Sequence, residues 1–215
     1  EIDHIISAHV VMDGASLEAE EESRRFDISA IDFDLLRREF ARVRTKNLLL
    51  RDLEELIQQK LDRMMFRNPN RIDYYEHYRE IIEAYNAEQD RATIEKTFME
   101  LMDLAGKLSC EEQRYVREGF ASDEELSLYD MLFRDDLKKG EIKRVKEVAA
   151  TLLRKVKEKI AETSHWTDKE RTRAEMDNLI RDTLWEELPL SYDEASVASY
   201  GQKVYAYVYT RYKVA

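Results

Sequence analysis

The chain has 215 residues, of which 43% are apolar and 38% are charged, with only five glycines and two prolines. This length allows one or two compact helical domains, and the twelve tyrosines and seven phenylalanines exclude wholesale disorder. The net charge of -11 opposes nonspecific binding of nucleic acid over the whole surface, although it leaves room for a local basic strip.

The cysteine count and the hydropathy pattern bear on the compartment. Cys110 is the single cysteine, so no disulfide can form within the chain, and a lone thiol is typical of the reducing cytoplasm. The sequence has no run of about 18 apolar residues and therefore predicts no membrane span. Glu1 is not an initiator methionine, and no basic signal-peptide region follows it. We expect a cytoplasmic protein that is a piece of a longer polypeptide.

The N-terminal part of the chain changes character near Ile31. Residues 1–27 lack a helical period and hold an acidic run, so we interpret them as a connector from a preceding lobe. From Ile31 to Met64, apolar residues recur at helical spacing. Asn68-Pro69-Asn70 ends this run, because proline disfavours helix at the residue before it. Helices are then predicted over about 72–85 and 91–108 by apolar faces that comprise Tyr75, Tyr78, Ile82, Tyr85, Ile94, Phe98, Leu101, Met102 and Ala105.

Repeated capping boxes mark further helix starts. In this pattern a hydroxyl accepts from the N3 amide while the N3 carboxylate reaches back to the cap amide. The pattern predicts helix starts near 110, 123, 168 and 192. The four pairs are Ser109 with Glu112, Ser122 with Glu125, Thr167 with Glu170, and Ser191 with Glu194.

The C-terminal half holds the clearest apolar stripe, over a predicted helix from about 138 to 161. Its members alternate spacings of three and four residues: Ile142, Val145, Ala149, Leu152, Val156 and Ile160. The next helix buries Met176, Leu179, Ile180 and Leu184, and Pro189 ends that region. The tail over residues 199–212 fits a strand by its alternating tyrosines and a helix by its stripe. We choose helix, because the sequence offers no second strand to pair with it.

Together these elements predict an all-α fold. We expect a multi-helix bundle of about seven or eight helices in two packed helical parts. After the connector, residues 28–108 form a helical domain and residues 109–215 form a C-terminal helical module.

The residue types that carry chemistry do not form a recognisable site. The five glycines stand apart, so no phosphate-binding loop is predicted, and His4, His9, His77 and His165 are scattered. Cys110 follows a predicted helix start, but two glutamates beside it oppose a thiolate. Asp135, Asp136 and Glu141 resemble part of a nuclease core, yet they begin a predicted helix and are better interpreted as a helix entry. We therefore assign no catalytic, cofactor-binding or metal-binding residue.

Two surfaces are candidates for binding. Residues 138–159 contain nine Lys or Arg and three Glu. Five of these basic residues fall within about 80° of one another on a helix and would contact DNA, a nucleotide phosphate or an acidic partner, unless they simply form a solvated face: Lys139, Lys143, Lys146, Arg154 and Lys157. In the tail, Tyr205, Tyr209 and Tyr212 suit a protein interface or base stacking, with core packing as the alternative.

Several short motifs follow one another from about Phe26 onward. These are Asp27-Ile28-Ser29-Ala30-Ile31-Asp32-Phe33-Asp34-Leu35-Leu36 with Lys46-Asn47, then Asn68-Pro69-Asn70-Arg71, Glu83-Ala84-Tyr85-Asn86, the Leu126/Tyr129/Asp130 element, and Trp166-Thr167-Asp168-Lys169-Glu170 with Arg173. In the order of these motifs the chain resembles the C-terminal portion of the R (motor and endonuclease) subunit of type I restriction–modification enzymes. The tail, residues 192–215, departs from this pattern and would fit a subclass such as the IC type.

The resemblance implies a non-catalytic role for this part of the parent enzyme. The parent would be a hydrolase that uses ATP and Mg²⁺ to translocate duplex DNA and cleave it, with those motifs outside this chain. The region itself would dock the motor to the methyltransferase and specificity subunits and help position it on DNA. The alternative is a regulatory nucleotide- or DNA-binding domain that uses the basic 138–159 helix. Self-association through the stripe of that helix is a third possibility.

Overall fold

The computed structural model describes residues 33–42, 46–87, 91–163 and 165–213. Within these ranges every regular element is a helix, which confirms the predicted all-α fold. The connector predicted over residues 1–27 lies outside the described residues, as do His4 and His9. The α-helices are α1 (Phe33–Arg42), α2 (Lys46–Arg67), α3 (Ile72–Ala87), α4 (Arg91–Glu112), α5 (Arg114–Arg117), α6 (Asp123–Leu132), α7 (Lys139–Glu162), α8 (Glu170–Glu187) and α9 (Glu194–Arg211), and a 3₁₀ turn spans Pro69–Arg71.

The described helices divide into two compact units. The N-terminal unit holds residues up to 64 together with 71–113, and the C-terminal unit holds 65–70 together with the residues from 114 onward. The last turn of α2 therefore belongs to the C-terminal unit. The functional division into residues 28–108 and 109–215 stays a prediction.

The N-terminal unit is built around the apolar faces of α2 and α4. The Phe40 ring of α1 stacks on the Phe98 ring of α4, with 3.6 Å between the ring centroids. Leu53, Ile57 and Leu61 of α2 are buried in the same core, as expected from their helical spacing. Burial of this stripe, rather than intrinsic helix propensity, stabilises the 22-residue α2 helix.

A buried lysine links α2 to the end of α4. The Lys60 side chain is only 5% exposed, and its Nζ lies 2.8 Å from a carboxylate oxygen of Glu112. A buried ammonium without such a partner would be costly, so the pair favours the packing of α2 beside the C-terminal end of α4.

The C-terminal unit contains a closed ring of four helices. Helix α6 contacts α7, α7 contacts α8, α8 contacts α9, and α9 returns to α6. The predicted stripe of α7 occupies the centre of this ring, because Val145, Ala149, Leu152 and Val156 are fully buried. Short links between successive helices favour this neighbour-to-neighbour packing.

Most helix bounds agree with the predicted ones. Helices α3, α4 and α7 begin within one residue of the positions that periodicity indicates, and the tail is the helix α9. Ser122 caps α6 as predicted, since its Oγ accepts from the Glu125 amide at 3.2 Å. The Glu125 carboxylate accepts from the amide of Ala121 rather than from that of Ser122.

The other three predicted helix starts are wrong in position or in partner. No helix begins near 110, because α4 continues to Glu112 and Ser109 Oγ donates to the Ala105 carbonyl one turn earlier. Cys110 therefore lies at the end of a helix and not at its start. Thr167 precedes the first residue of α8 by three positions and its hydroxyl donates to the Lys213 carbonyl. At α9, Asp193 rather than Ser191 accepts from the Ser196 amide.

We expect Ile180→Ala to lower the free energy of unfolding by about 2 to 5 kcal/mol, because Ile180 is fully buried and alanine would leave a cavity. The measurement is urea unfolding followed by circular dichroism. Leu190→Ala is the control, because Leu190 is fully exposed and its truncation should change stability by less than about 0.5 kcal/mol. Equal losses in both variants would contradict the packing described for α8.

Candidate interaction surfaces

The solvent-facing ridge of α7 carries both signs of charge. Lys139, Lys143 and Arg154, three members of the predicted basic strip, are exposed on this ridge. Lys143 lies 4.0 Å from Glu147, and Arg154 Nη1 donates to both carboxylate oxygens of Glu158 at 2.9 and 3.0 Å. The ridge is thus a series of i,i+4 ion pairs rather than a uniformly positive strip.

The two remaining members of the strip, Lys146 and Lys157, point toward neighbouring elements. Lys146 Nζ donates to the Glu118 carbonyl at 2.8 Å and lies 4.6 Å from the centroid of the Phe120 ring. Lys157 Nζ donates to the carboxylate of Glu124 in the first turn of α6. Both cations therefore stabilise the packing of α7 beside α6 and the loop that precedes α6.

The opposite flank of α7 is tied to α8 by basic side chains as well. The Arg144 guanidinium donates to the carbonyl of Glu187 at 2.9 Å and also pairs with its carboxylate. Lys155 Nζ donates to Thr183 Oγ1 at 3.3 Å, and Lys159 Nζ donates to Glu175 at 2.9 Å. Much of the positive charge of the 138–159 segment is thus used in helix–helix contacts.

Glu124 is the acceptor at which three elements meet. Besides Lys157 of α7, it accepts from Tyr212 Oη at 2.9 Å and from the Arg211 guanidinium at 3.4 Å. Its place in the first turn of α6 also suits a carboxylate, because helix N-termini attract negative charge. Burial raises the pKa of Glu124, but the bonds from Lys157 and Tyr212 and the two cationic charges outweigh this and hold it below its ordinary value.

The three tyrosines predicted as an interface are partly buried against the core. Tyr205 and Tyr209 meet the buried Trp166 ring edge-on, with centroid distances of 6.4 and 5.9 Å. Tyr212 donates to Glu124, and burial raises its pKa, as does the neighbouring carboxylate. Their main contacts are thus internal, which is the core-packing alternative, and their role as an interface set stays a prediction.

A second buried carboxylate, Asp130 of α6, holds the chain where it passes between the units. Arg114 binds both of its oxygens at 2.9 Å, and Asn68 Nδ2 donates to Oδ2 at 2.7 Å. Asn68 and Arg114 belong to the two segments, 65–70 and 114 onward, through which the C-terminal unit is entered. Burial raises the pKa of Asp130, while Arg114 and Asn68 oppose that rise, and the bidentate geometry favours the ionised pair.

The exposed apolar side chains at the end of α8 were missed from the sequence. Trp185 of α8 is 63% exposed, and Leu190, three residues beyond the end of that helix, is fully exposed. Trp185 directly follows the buried Leu184, so it stands about 100° away from the apolar stripe. A tryptophan off the stripe of an amphipathic helix is the signal that could have found it.

The described residues offer no group of three or more His, Cys, Asp or Glu side chains that could hold a metal ion. Two of the nuclease-like carboxylates accept hydrogen bonds from residues close to them in the chain. Asp136 accepts from Arg134 at 2.9 Å, and Glu141 accepts from the Lys138 amide at 2.9 Å and so caps α7. None of the helices in the described ranges combines the length and the apolar character of a membrane span. ATP and Mg²⁺ stay expectations for the parent enzyme.

The described residues thus form two all-α units with charged and apolar surfaces. Residues 2–204 match the family described as type I restriction enzyme HindI endonuclease subunit-like, C-terminal, so the chain belongs to this family. The comparisons with curated proteins and with solved structures find no match. The chain is thus a C-terminal part of a type I restriction enzyme subunit, which works in a complex with other subunits, and the IC subclass stays a prediction.

Because the pKa of Glu124 is depressed in the folded state, its contribution to stability is present above about pH 4.5, the ordinary value, and is lost as the pH falls below it. We expect Glu124→Gln to destabilise the chain most at neutral pH, with the difference from the wild type shrinking toward pH 3. Urea midpoints at several pH values measure this. Glu158→Gln on the exposed ridge of α7 is the control, with an expected difference near zero at every pH.

Asp130→Ala tests the second carboxylate. We expect a loss of about 2 to 4 kcal/mol in the free energy of unfolding, because the variant leaves the Arg114 guanidinium without its bidentate acceptor. Arg154→Ala, which removes an exposed ion pair, should give no measurable change in the same urea titration. A loss for Asp130→Ala no larger than that of the control would show that the buried pair is dispensable.

Proposed function

We propose that this chain is a non-catalytic docking and coupling module of a type I restriction enzyme R subunit. It joins the ATP-dependent DNA translocase and endonuclease to the methyltransferase core and helps to position the motor on DNA. ATP hydrolysis and DNA cleavage are carried out by other parts of the parent subunit, and no step of either reaction is assigned to a residue of this chain.

The observation that carries the proposal is the exposure of two large apolar side chains, Trp185 and Leu190, near the same end of α8. Tryptophan is enriched among the residues that contribute most to protein–protein binding, because a rigid ring buries a large area at low entropic cost. An enzyme subunit that works in a complex needs such a surface, and family membership supplies that context.

The coupling part of the proposal is supported by the buried ion pairs of the C-terminal unit. A docking module can pass a displacement to the rest of its subunit only if its helices move as one body. Glu124 links α6, α7 and α9, and Asp130 holds both segments through which the chain enters the unit. These contacts favour a rigid C-terminal unit that is held at both segments through which the chain enters it.

The alternative function, a regulatory DNA or nucleotide site on α7, has weaker support. Two members of the proposed strip, Lys146 and Lys157, are bonded within the unit, and Lys143 and Arg154 lie beside glutamates one turn later. Phosphate binding depends on cations that can replace the counterions of the nucleic acid. The pairing of these cations lowers the positive potential that such a site would need.

The proposal is tested by competition with the intact 215-residue chain. Added in excess to the parent R subunit and its methyltransferase and specificity subunits, the chain should bind the core complex and reduce assembly and translocation. The matched control is an Ile180→Asp chain, whose core is disrupted by a buried charge and which should not compete. Pull-down and a translocation assay give the two readouts.

Failure of the folded chain to bind the core complex, together with normal assembly of a parent subunit that lacks residues 138–215, would contradict the docking function. The alternative is measured in parallel by titrating the same chain with duplex DNA and with ATP at low salt. Salt-sensitive binding that disappears in a Lys143→Ala, Arg154→Ala double variant would favour the regulatory site instead.

A further inference from the structure

We infer that the end of α8, formed by Trp185, Leu190 and the acidic side chains around them, is the surface through which the module docks. Its partner is an apolar pocket rimmed by lysine or arginine on a companion subunit. This inference rests on the proposed docking function and adds to it the surface and the chemistry of the partner.

The apolar part of this surface is the tryptophan and the leucine that follow the buried stripe. Trp185 is 63% exposed in the last turn of α8. Leu190 lies three residues beyond Glu187, the last residue of α8, and an extended chain limits the distance between Glu187 and Leu190 to roughly 11 Å. The chain is held on both sides of Leu190, because Leu188 is buried and Tyr192 Oη donates to the Leu132 carbonyl at 2.6 Å. Two large apolar groups are thus held in place near the same helix end.

The charge around Trp185 is negative, and the Arg134 guanidinium, which donates to the Ser191 carbonyl beside Leu190, is paired with Asp136. Asp182 is exposed one turn before Trp185 and shares its face of α8. Glu186 is also exposed and lies about 100° around the helix from Trp185. Arg181 on the preceding turn is bonded to Asp177 at 2.8 Å, and Glu187 is paired with Arg144. The remaining carboxylates give the surface a negative rim.

The position of this negative charge on the helix points to a basic partner. The last turn of α8, which lies wholly within the described residues, holds Glu186 and Glu187 but no basic side chain. Carboxylates near a helix C-terminus are unfavourable, because the helix dipole already places negative charge there. A lysine or arginine rim on the partner would relieve this repulsion when the two surfaces meet, and it would orient them on approach.

Other occupants fit this surface less well. The negative rim repels a nucleic-acid backbone, so DNA is not the ligand of this surface. A second copy of the chain would have to offer a basic pocket, but Lys143 and Arg154 on the exposed ridge of α7 lie beside glutamates of the same ridge. A companion subunit of the restriction complex is therefore the occupant that the charges favour.

The two tryptophans of the chain allow a direct test. The intact chain is labelled with 5-fluorotryptophan and titrated with the unlabelled complex of methyltransferase and specificity subunits. In ¹⁹F NMR, the exposed Trp185 should shift or broaden on binding, whereas the resonance of the buried Trp166 should keep its chemical shift apart from the uniform broadening of a larger complex. A Trp185→Phe chain assigns the two signals.

Variants then measure how much the surface contributes to affinity. Trp185→Ala should weaken binding to the core complex by about tenfold or more, since aromatic anchors are typical hot spots, and Glu186→Lys should weaken it through charge repulsion. Val116→Ala is the matched control, because Val116 is also 63% exposed in the C-terminal unit but lies on α5. Thermal unfolding checks that each variant remains folded.

The outcomes separate this inference from the proposed function. If the chain binds the core complex but the Trp185 signal does not change and the Trp185→Ala and Glu186→Lys variants bind normally, the docking function stands and this surface is not used. If the chain does not bind the complex at all, both fail. A Trp185 shift caused by chain concentration alone or by duplex DNA would assign the surface to self-association or to nucleic acid and would overturn the inference.

Discussion

Burial of the α7 stripe is the constraint on which the C-terminal unit depends. Val145, Ala149, Leu152 and Val156 are fully buried, and α7 contacts both α6 and α8 along this stripe. A helix buried on one face presents two flanks to its neighbours, where long side chains can cover apolar surface and reach polar partners. The basic residues of α7 occupy these flanks, so the charge pattern of the helix follows from its packing.

This arrangement separates the charges that stabilise the unit from the features that could bind a partner. On one flank Lys146 and Lys157 reach Glu118 and Glu124, and on the other Arg144 reaches Glu187. The protein has a net charge of -11, so its basic side chains readily find internal acceptors. An exposed apolar side chain such as that of Trp185 gains no such internal acceptor. It is therefore a stronger indication of a binding surface than the lysines of α7 are.

Helix periodicity predicted the fold well because it reports burial directly. The stripe of α7 and the inward face of α4 are where the 3.6-residue period indicates. Capping boxes were less reliable, because a serine such as Ser109 can bond the carbonyl one turn earlier and stay inside a helix. The surfaces were hardest to predict: helical angles group Lys157 with Lys143, but they cannot reveal that Glu124, 33 residues earlier in the chain, lies beside Lys157.

The contacts of the C-terminal unit form a continuous series from the helix of the exposed Trp185 to the two segments through which the chain enters the unit. Helix α8, which carries Trp185, is bonded to α7 through Arg144 and Lys159, and α7 is bonded to α6 through Lys157. Helix α6 in turn holds Asn68 and Arg114 through Asp130. Each link is charge-assisted, and those at Lys159 and Asp130 are partly buried, so salt screens these less than it screens exposed pairs. A force applied at the end of α8 would therefore reach both segments that lead out of the unit without depending on any loop, which is the mechanical property that a coupling module requires.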